Sequence, residues 1–324
     1  MSLLQRTSLS FIKWARRACA DSRVQKLAVV KWLYRMTVNI SIGGGKEVTT
    51  DFRGLRLAVP GGDYVFIAGL TAGFYESIEL DLAERLARQS RTIIDVGANI
   101  GIYSCVLASH MPDEGRLISF EPVPDNMTYL RRNLAGNALS DRVVLEQLAV
   151  GEAPGESMIH LVDRSGNHSL APDVAVNSSC ALPVLITSLD TYLRDSDCRR
   201  SVDLLKIDVE GYDGYVLRGA TTLLLEQRPT LLVEFEPNHL TNAGFSPTEF
   251  LDMIFTAYSD VYVIDDPRGL LVRCNRNDIV GQHANAANLN LVATWRSDHV
   301  ETIERYRQTL NTTRSSSSAP ALTR

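Results

Sequence analysis

From residue 91 onward the chain repeats one phase: a short, continuously apolar segment, then an acid, then glycine or a polar turn, then a helical pattern. The clearest instance is "IIDVGANIGIYS", residues 93–104. Strand-like segments fall at 92–96, 116–121, 143–149, 203–208, 230–236, 260–265 and 289–295, with helical periodicity at 101–110, 124–136, 212–227 and 247–257. Strands that are apolar on both faces and alternate with helices predict a mostly parallel, seven-stranded sheet covered by helices on both sides. The expected class is therefore α/β, Rossmann-like.

The flanks break this phase. Residues 1–36 predict a basic amphipathic helical extension, with Phe11, Trp14, Ala15 and Ala18 at helical spacing and eight Lys and Arg against the single acid Asp21. Residues 37–90 predict a β-hairpin, with "TVNISI" and "LRLAVP" as its strands, and a helix over 75–89 leading into the core. The main domain spans 91–300, interrupted at 151–190 by a Gly-, Ser-, Asn- and Pro-rich inserted loop or hairpin. Residues 301–324 predict the end of a terminal helix and a disordered, low-complexity tail.

Composition excludes several classes. A 324-residue chain with net charge −5 has no overall bias towards nucleic acid. Five widely spaced cysteines, with no C-x-x-C, support neither a disulfide framework nor a zinc framework, and fit a reducing cytosol. No apolar run reaches the roughly eighteen residues of a membrane helix. The expected location is cytoplasmic, with the basic segment 1–36 offering peripheral contact to an anionic membrane face as an alternative to packing on the core.

In an open α/β sheet, ligands bind beyond the carboxyl ends of the strands, where strand order reverses. The first such end carries Asp95, Gly97, Asn99 and Gly101. A dinucleotide fingerprint needs G-x-G-x-x-G; aligned on Gly97, Asn99 and Ile102 stand where the second and third glycines belong. Asp95 also disfavours a pyrophosphate. A cationic cofactor without phosphate fits better, and S-adenosylmethionine, with an ammonium and a sulfonium, has that charge. Glu121 ends the next strand, where one carboxylate accepts from both hydroxyls of a ribose. Asp208 and Glu210 follow a third strand, and Glu234 and Glu236 a fourth, with Asn238 and His239 just beyond.

Four segments, "DVGANIGIYS", "FEPVPDNMTYLRRN", "LLKIDVEGYDGYVLRGA" and "RPTLLVEFEP", together resemble the FkbM family of S-adenosylmethionine-dependent methyltransferases. The resemblance runs from about Gly73 to Pro237, with Asp213 where the family often has Glu. It implies a class I methyltransferase fold and transfer of a methyl group to a hydroxyl of a sugar, a glycolipid or polysaccharide precursor, or a polyketide-like metabolite. It further implies that Asp95, Gly97, Asn99 and Gly101 line the methionine end of the cofactor, Glu121 the ribose, and Asn126 the rim nearby.

For the chemistry, a sugar hydroxyl is a weak acid, so a base is expected: Asp208 or His239, with Glu210 and Glu236 orienting the acceptor. No metal is expected, although Asp208, Glu236 and Asn238 offer an oxygen-ligand set as the alternative. His168, in the insert, is a further residue able to reach an acceptor. The competing readings are a binding module that keeps the fold without catalysis, and methylation of a protein or nucleic-acid nitrogen; no N/D-P-P-Y acceptor motif is present.

Overall fold

The computed structural model describes residues 47–61, 67, 69–71, 73, 75–161, 170, 180–196, 201–266, 268–282 and 289–317. The extension predicted at 1–36, the segment "TVNISI", His168 and the tail beyond 317 lie outside the described residues.

The central sheet joins β3 (Thr92–Val96), β4 (Arg116–Phe120), β5 (Val143–Glu146), β9 (Leu204–Ile207), β10 (Thr230–Phe235), β11 (Asp260–Asp265), β12 (Leu270–Arg273) and β13 (Leu289–Thr294). Their spatial order is β12-β11-β13-β10-β9-β3-β4-β5. Strands β5, β4, β3, β9 and β10 are mutually parallel, and β13 runs antiparallel between β10 and β11. All seven expected strands are present. An eighth, β12, pairs antiparallel with β11 at one edge.

Helices cover both faces. Ile93, Leu117, Leu204, Leu232 and Val292 point to one buried layer, which they share with α1 (Ser77–Ala87), α2 (Ile102–His110), α3 (Pro124–Gly136) and the terminal helix Ser297–Ser317. Alternate residues Ile94, Ile118, Leu205, Leu231 and Leu291 point to the other layer, with Val216 and Leu217 of a short helix at Asp213–Arg218 and Phe250 and Ile254 of one at Pro247–Ala257. Period-2 alternation between two buried layers is why these strands read as continuously apolar.

Three local readings need correction. The hairpin before the core is β1 (Glu47–Phe52) with β2 (Leu55–Pro60), so "EVTTDF" supplies the first described strand. Its two-residue turn, Arg53-Gly54, has φ 51° and 79°, the paired left-handed geometry that matches strand twist. The single helix expected over 212–227 is broken: Asp213–Arg218 is α-helical and Leu223–Gln227 forms a π turn. The segment 143–149 divides, because Ala149–Val150 (β6) leaves the main sheet to join Gly155–Leu161 (β7) and Cys180–Thr187 (β8) in a three-stranded sheet.

This topology places the site. From β3 the chain steps through β4 to β5, then returns to place β9 on the other side of β3. Strand order reverses between β3 and β9, so their carboxyl ends open onto a crevice.

Candidate functional site

The floor of the crevice is backbone. Gly97 has φ 83°, and a Cβ there would lie 1.9 Å from the Asp208 carbonyl oxygen. The β3 turn therefore presses directly on the loop after β9, and only glycine permits it. The N–H groups of Gly97 and Ala98 both donate to the Phe120 carbonyl at 3.0 Å, which ties the turn to the end of β4. Asn99 (φ 52°) and Gly101 (φ 90°) are also left-handed and lead into α2.

Glu121 follows β4 and is buried. Its Oε2 accepts from the Asn99 N–H at 2.8 Å, its Oε1 from the Val123 N–H at 2.8 Å and the Asn126 side-chain amide at 3.3 Å. Two backbone amides thus aim one carboxylate at the mouth of the β3 turn. Burial, the largest cause, raises this carboxyl to about 7, against those hydrogen bonds, which favour the anion.

Asp95 is placed differently. It is wholly buried beneath the turn, accepting from Ser104 Oγ at 2.6 Å, with Lys206 Nζ 4.0 Å from its other oxygen. Lys206, paired with Asp95 in register, is itself buried and lies 3.1 Å from Asp208 Oδ2 and 4.3 Å above the Tyr103 ring. Tyr103 in turn donates to Glu76 at 2.8 Å, and the Asn290 amide donates to Glu79. Burial opposes the Lys206 ammonium, yet Asp208, Asp95, Glu79 and Glu76 hold its pKa above the ordinary lysine value. Burial likewise raises Glu76 to about 7 and Glu79 to about 8. Several acids therefore share one buried cation, and burial with their mutual repulsion favours the protonated form of part of them.

Sequence reasoning missed Glu76, Glu79 and Tyr103. A signal was available: Glu79 lies on the apolar face of α1, beside Ile78 and Leu82, where an acid needs a reason.

On the acceptor side, the Asp208 side chain is 37% exposed beside Lys206, open enough to meet a ligand. The loop that follows is shaped by Asp213, whose buried carboxylate accepts from the Val209 N–H at 3.2 Å and the Gly211 N–H at 3.1 Å. Glu210 takes φ 51° and Gly211 φ 90°, and a Cβ on Gly211 would meet the His239 carbonyl at 2.8 Å. This contact brings Glu210 Oε2 within 3.8 Å of His239 Nδ1. Glu236 is engaged elsewhere: it caps the short helix Pro237–Asn242, accepting from the Asn238 N–H at 3.3 Å and the Asn238 side-chain amide at 3.0 Å. Its carboxylate holds the start of that helix.

A reversal of strand order, a glycine turn closed by backbone contact and a buried acid at the end of the second strand are the layout of a class I, Rossmann-like methyltransferase domain. The Methyltransferase FkbM domain family matches residues 95–262, more than half of the chain, and the chain belongs to that family. Among curated relatives, "Methyltransferase 1" of Beauveria bassiana (strain ARSEF 2860) is 27% identical over 146 residues, and "Methyltransferase sdnD" of Sordaria araneosa 28% identical over 207 residues. The matches cover 39% and 54% of this chain, and 57% and 79% of those two relatives. Among solved structures, FkbM from Methylobacillus flagellatus KT matches at 16% identity and a TM-score of 0.38, over 70% of this chain and 54% of that one. The O-methyltransferase TomG from Streptomyces achromogenes, solved with S-adenosylmethionine, matches at 16% identity and a TM-score of 0.39, over 67% of this chain and 78% of that one.

The cofactor of the family is S-adenosylmethionine, and the residues present fit it. A left-handed glycine turn at the carboxyl end of β3 adjoins a carboxylate held by two amides at the end of β4, and the acids around Lys206 outnumber that one cation, an environment that suits a sulfonium and an ammonium. None of the described helices is long and apolar enough to cross a membrane.

Proposed function

We propose that the chain transfers a methyl group to a hydroxyl oxygen of a glycan, glycolipid precursor or polyketide-like metabolite. In this reading Gly97, Asn99 and Gly101 form the cradle, Glu121 accepts from the ribose hydroxyls, and Asn126 fixes Glu121. Asp95 acts beneath them as a positioning residue through Ser104 and Lys206. When bound, S-adenosylmethionine supplies a methyl carbon already activated by its sulfonium. The chain's own task is to align an acceptor oxygen and take its proton.

The observation that carries this reading is the half-open Asp208 carboxylate beside the cradle, with buried Lys206 on Oδ2. Lys206 fixes the carboxylate, so Oδ1 is assigned the acceptor's proton. Glu210 and His239 line the acceptor side, and Glu236 supports them by capping the helix that carries His239.

The test is a labelled-methyl assay over a panel of glycosides and hydroxylated metabolites, with Asp208→Asn beside the parent chain. Loss of a general base predicts a fall in kcat of about 10²- to 10⁴-fold, with cofactor affinity held within a few-fold. Full turnover by Asp208→Asn removes it as the base. Labelled product retained at nitrogen rather than oxygen removes the hydroxyl acceptor. The sequence of residues 1–36 supports peripheral contact with an anionic membrane face; co-sedimentation with acidic vesicles, with and without that segment, decides it.

A further inference from the structure

Proton removal by Asp208 leaves part of the rim without a use. Glu210, Glu234 and His239 each present one ligand atom, and these atoms all lie within 4.8 Å of one another. The groups come from three places: the loop after β9, the end of β10, and the helix Pro237–Asn242. The left-handed Glu210-Gly211 pair presses that loop on the His239 backbone and so assembles them.

Two of the inward atoms have an unmet need. Glu234 Oε2 and His239 Nδ1 are closed off from solvent, and neither makes a hydrogen bond. A buried carboxyl oxygen without a hydrogen-bond partner is unfavourable, and here it has further acids as neighbours. The alternative set weighed from sequence is not assembled this way, because Glu236 and Asn238 are hydrogen-bonded to each other.

We propose that Glu210, Glu234 and His239 bind one divalent cation of the kind that accepts imidazole together with carboxylate, manganese or zinc. Two carboxylates and one neutral imidazole are a donor set such ions take, whereas magnesium and calcium prefer oxygen alone. Bond lengths of about 2.0–2.2 Å place neighbouring donors roughly 3 Å apart, so the cluster closes by about an ångström on loading. The ion sits beside Asp208, where it neutralises the rim and polarises an acceptor oxygen, lowering the pKa of its hydroxyl. His239 is then a ligand, and Asp208 alone takes the proton. The ion's role in catalysis rests on the proposed methyl transfer; its binding does not.

The test uses the full chain, freed of metal by chelator and titrated with Mn²⁺, with free ion followed by electron paramagnetic resonance. One ion per chain is expected, with nitrogen modulation from an imidazole in the spin-echo spectrum. Glu234→Gln and His239→Gln are each expected to weaken Mn²⁺ at least tenfold, and His239→Gln to abolish the nitrogen signal. S-adenosylmethionine titrated into the same samples is expected to bind the variants as it binds the parent, which shows that they are folded and separates this proposal from the cofactor reading. Absence of Mn²⁺ and Zn²⁺ binding in a parent chain that binds S-adenosylmethionine overturns the proposal. So does stoichiometric binding that both variants retain.

Discussion

The two sides of the crevice are built in different ways. The β3–β4 side is built by backbone: a glycine pressed on the Asp208 carbonyl, and two amides on one carboxylate. The β9–β10 side is built by side chains brought together from separate loops, with Glu234 Oε2 and His239 Nδ1 closed off from solvent and making no hydrogen bond. A constant ligand can be met by a fixed cradle, and a variable one calls for side chains that evolution can exchange. The comparison also separates what binding to each half should tolerate.

The largest expected effect is on the backbone side. Gly97→Ala drives a methyl group into the Asp208 carbonyl and puts a non-glycine residue in a left-handed turn. The strain and overpacking together predict a loss of about 3 kcal/mol in denaturant unfolding, and cofactor binding too weak to measure. An alanine variant that binds normally breaks the claim that the cradle needs close contact.

Next comes Glu121→Gln. The variant keeps the shape but replaces a carboxylate that accepts from charged-group hydrogen bonds, each worth about 1.5–3 kcal/mol. Calorimetry should show affinity for S-adenosylmethionine falling roughly 10- to 100-fold.

A pH series sharpens the same point. Glu121 is raised from 4.5 to about 7 in the unliganded chain. In the proposed reading the ribose hydroxyls meet its anion, so cofactor affinity should rise roughly fivefold between pH 6 and 7 and level off above. Glu121→Gln should flatten that rise. Without ligand the sign reverses. Below pH 4.5 the carboxyl is protonated both folded and unfolded; as pH climbs towards 7 the unfolded chain ionises first, so stability falls across that window. The difference in stability between the parent and Glu121→Gln isolates this group, and a difference that grows in the parent's favour from pH 5 to 7 contradicts the assignment.

The smallest effect is expected at Asn126. Its amide reaches Glu121 at 3.3 Å beside two shorter backbone bonds, so Asn126→Ala should cost under about 1 kcal/mol of cofactor binding.

This asymmetry explains what the sequence could tell. The parallel core was legible because β3, β4, β9 and β10 are buried on both faces, and continuous apolar runs broken by acids have few other meanings. The β3 turn was legible because its parts are local: Gly97, Asn99 and Gly101 fall within five residues, and Glu121 follows one strand later. The edge strand Leu270–Arg273 was not, because four residues at a sheet margin carry too little periodicity. The terminal helix Ser297–Ser317 was only half seen, since its last turns run into a serine-rich stretch that reads as low complexity.

In the site, the acids were visible but their directions were not. Asp95 turns inward to Ser104 and Glu236 to Asn238, which a one-dimensional pattern cannot distinguish from facing a ligand. Glu76 and Glu79 meet Lys206 across more than 120 residues of chain, a distance that only the fold closes.

The central claim is that the β3 turn and Glu121 hold S-adenosylmethionine. Titration calorimetry at pH 8 with the purified chain, beside Gly97→Ala, tests it most directly. One molecule per chain is predicted for the parent and no measurable heat for the variant. No heat from the parent, or equal binding by both, contradicts the account.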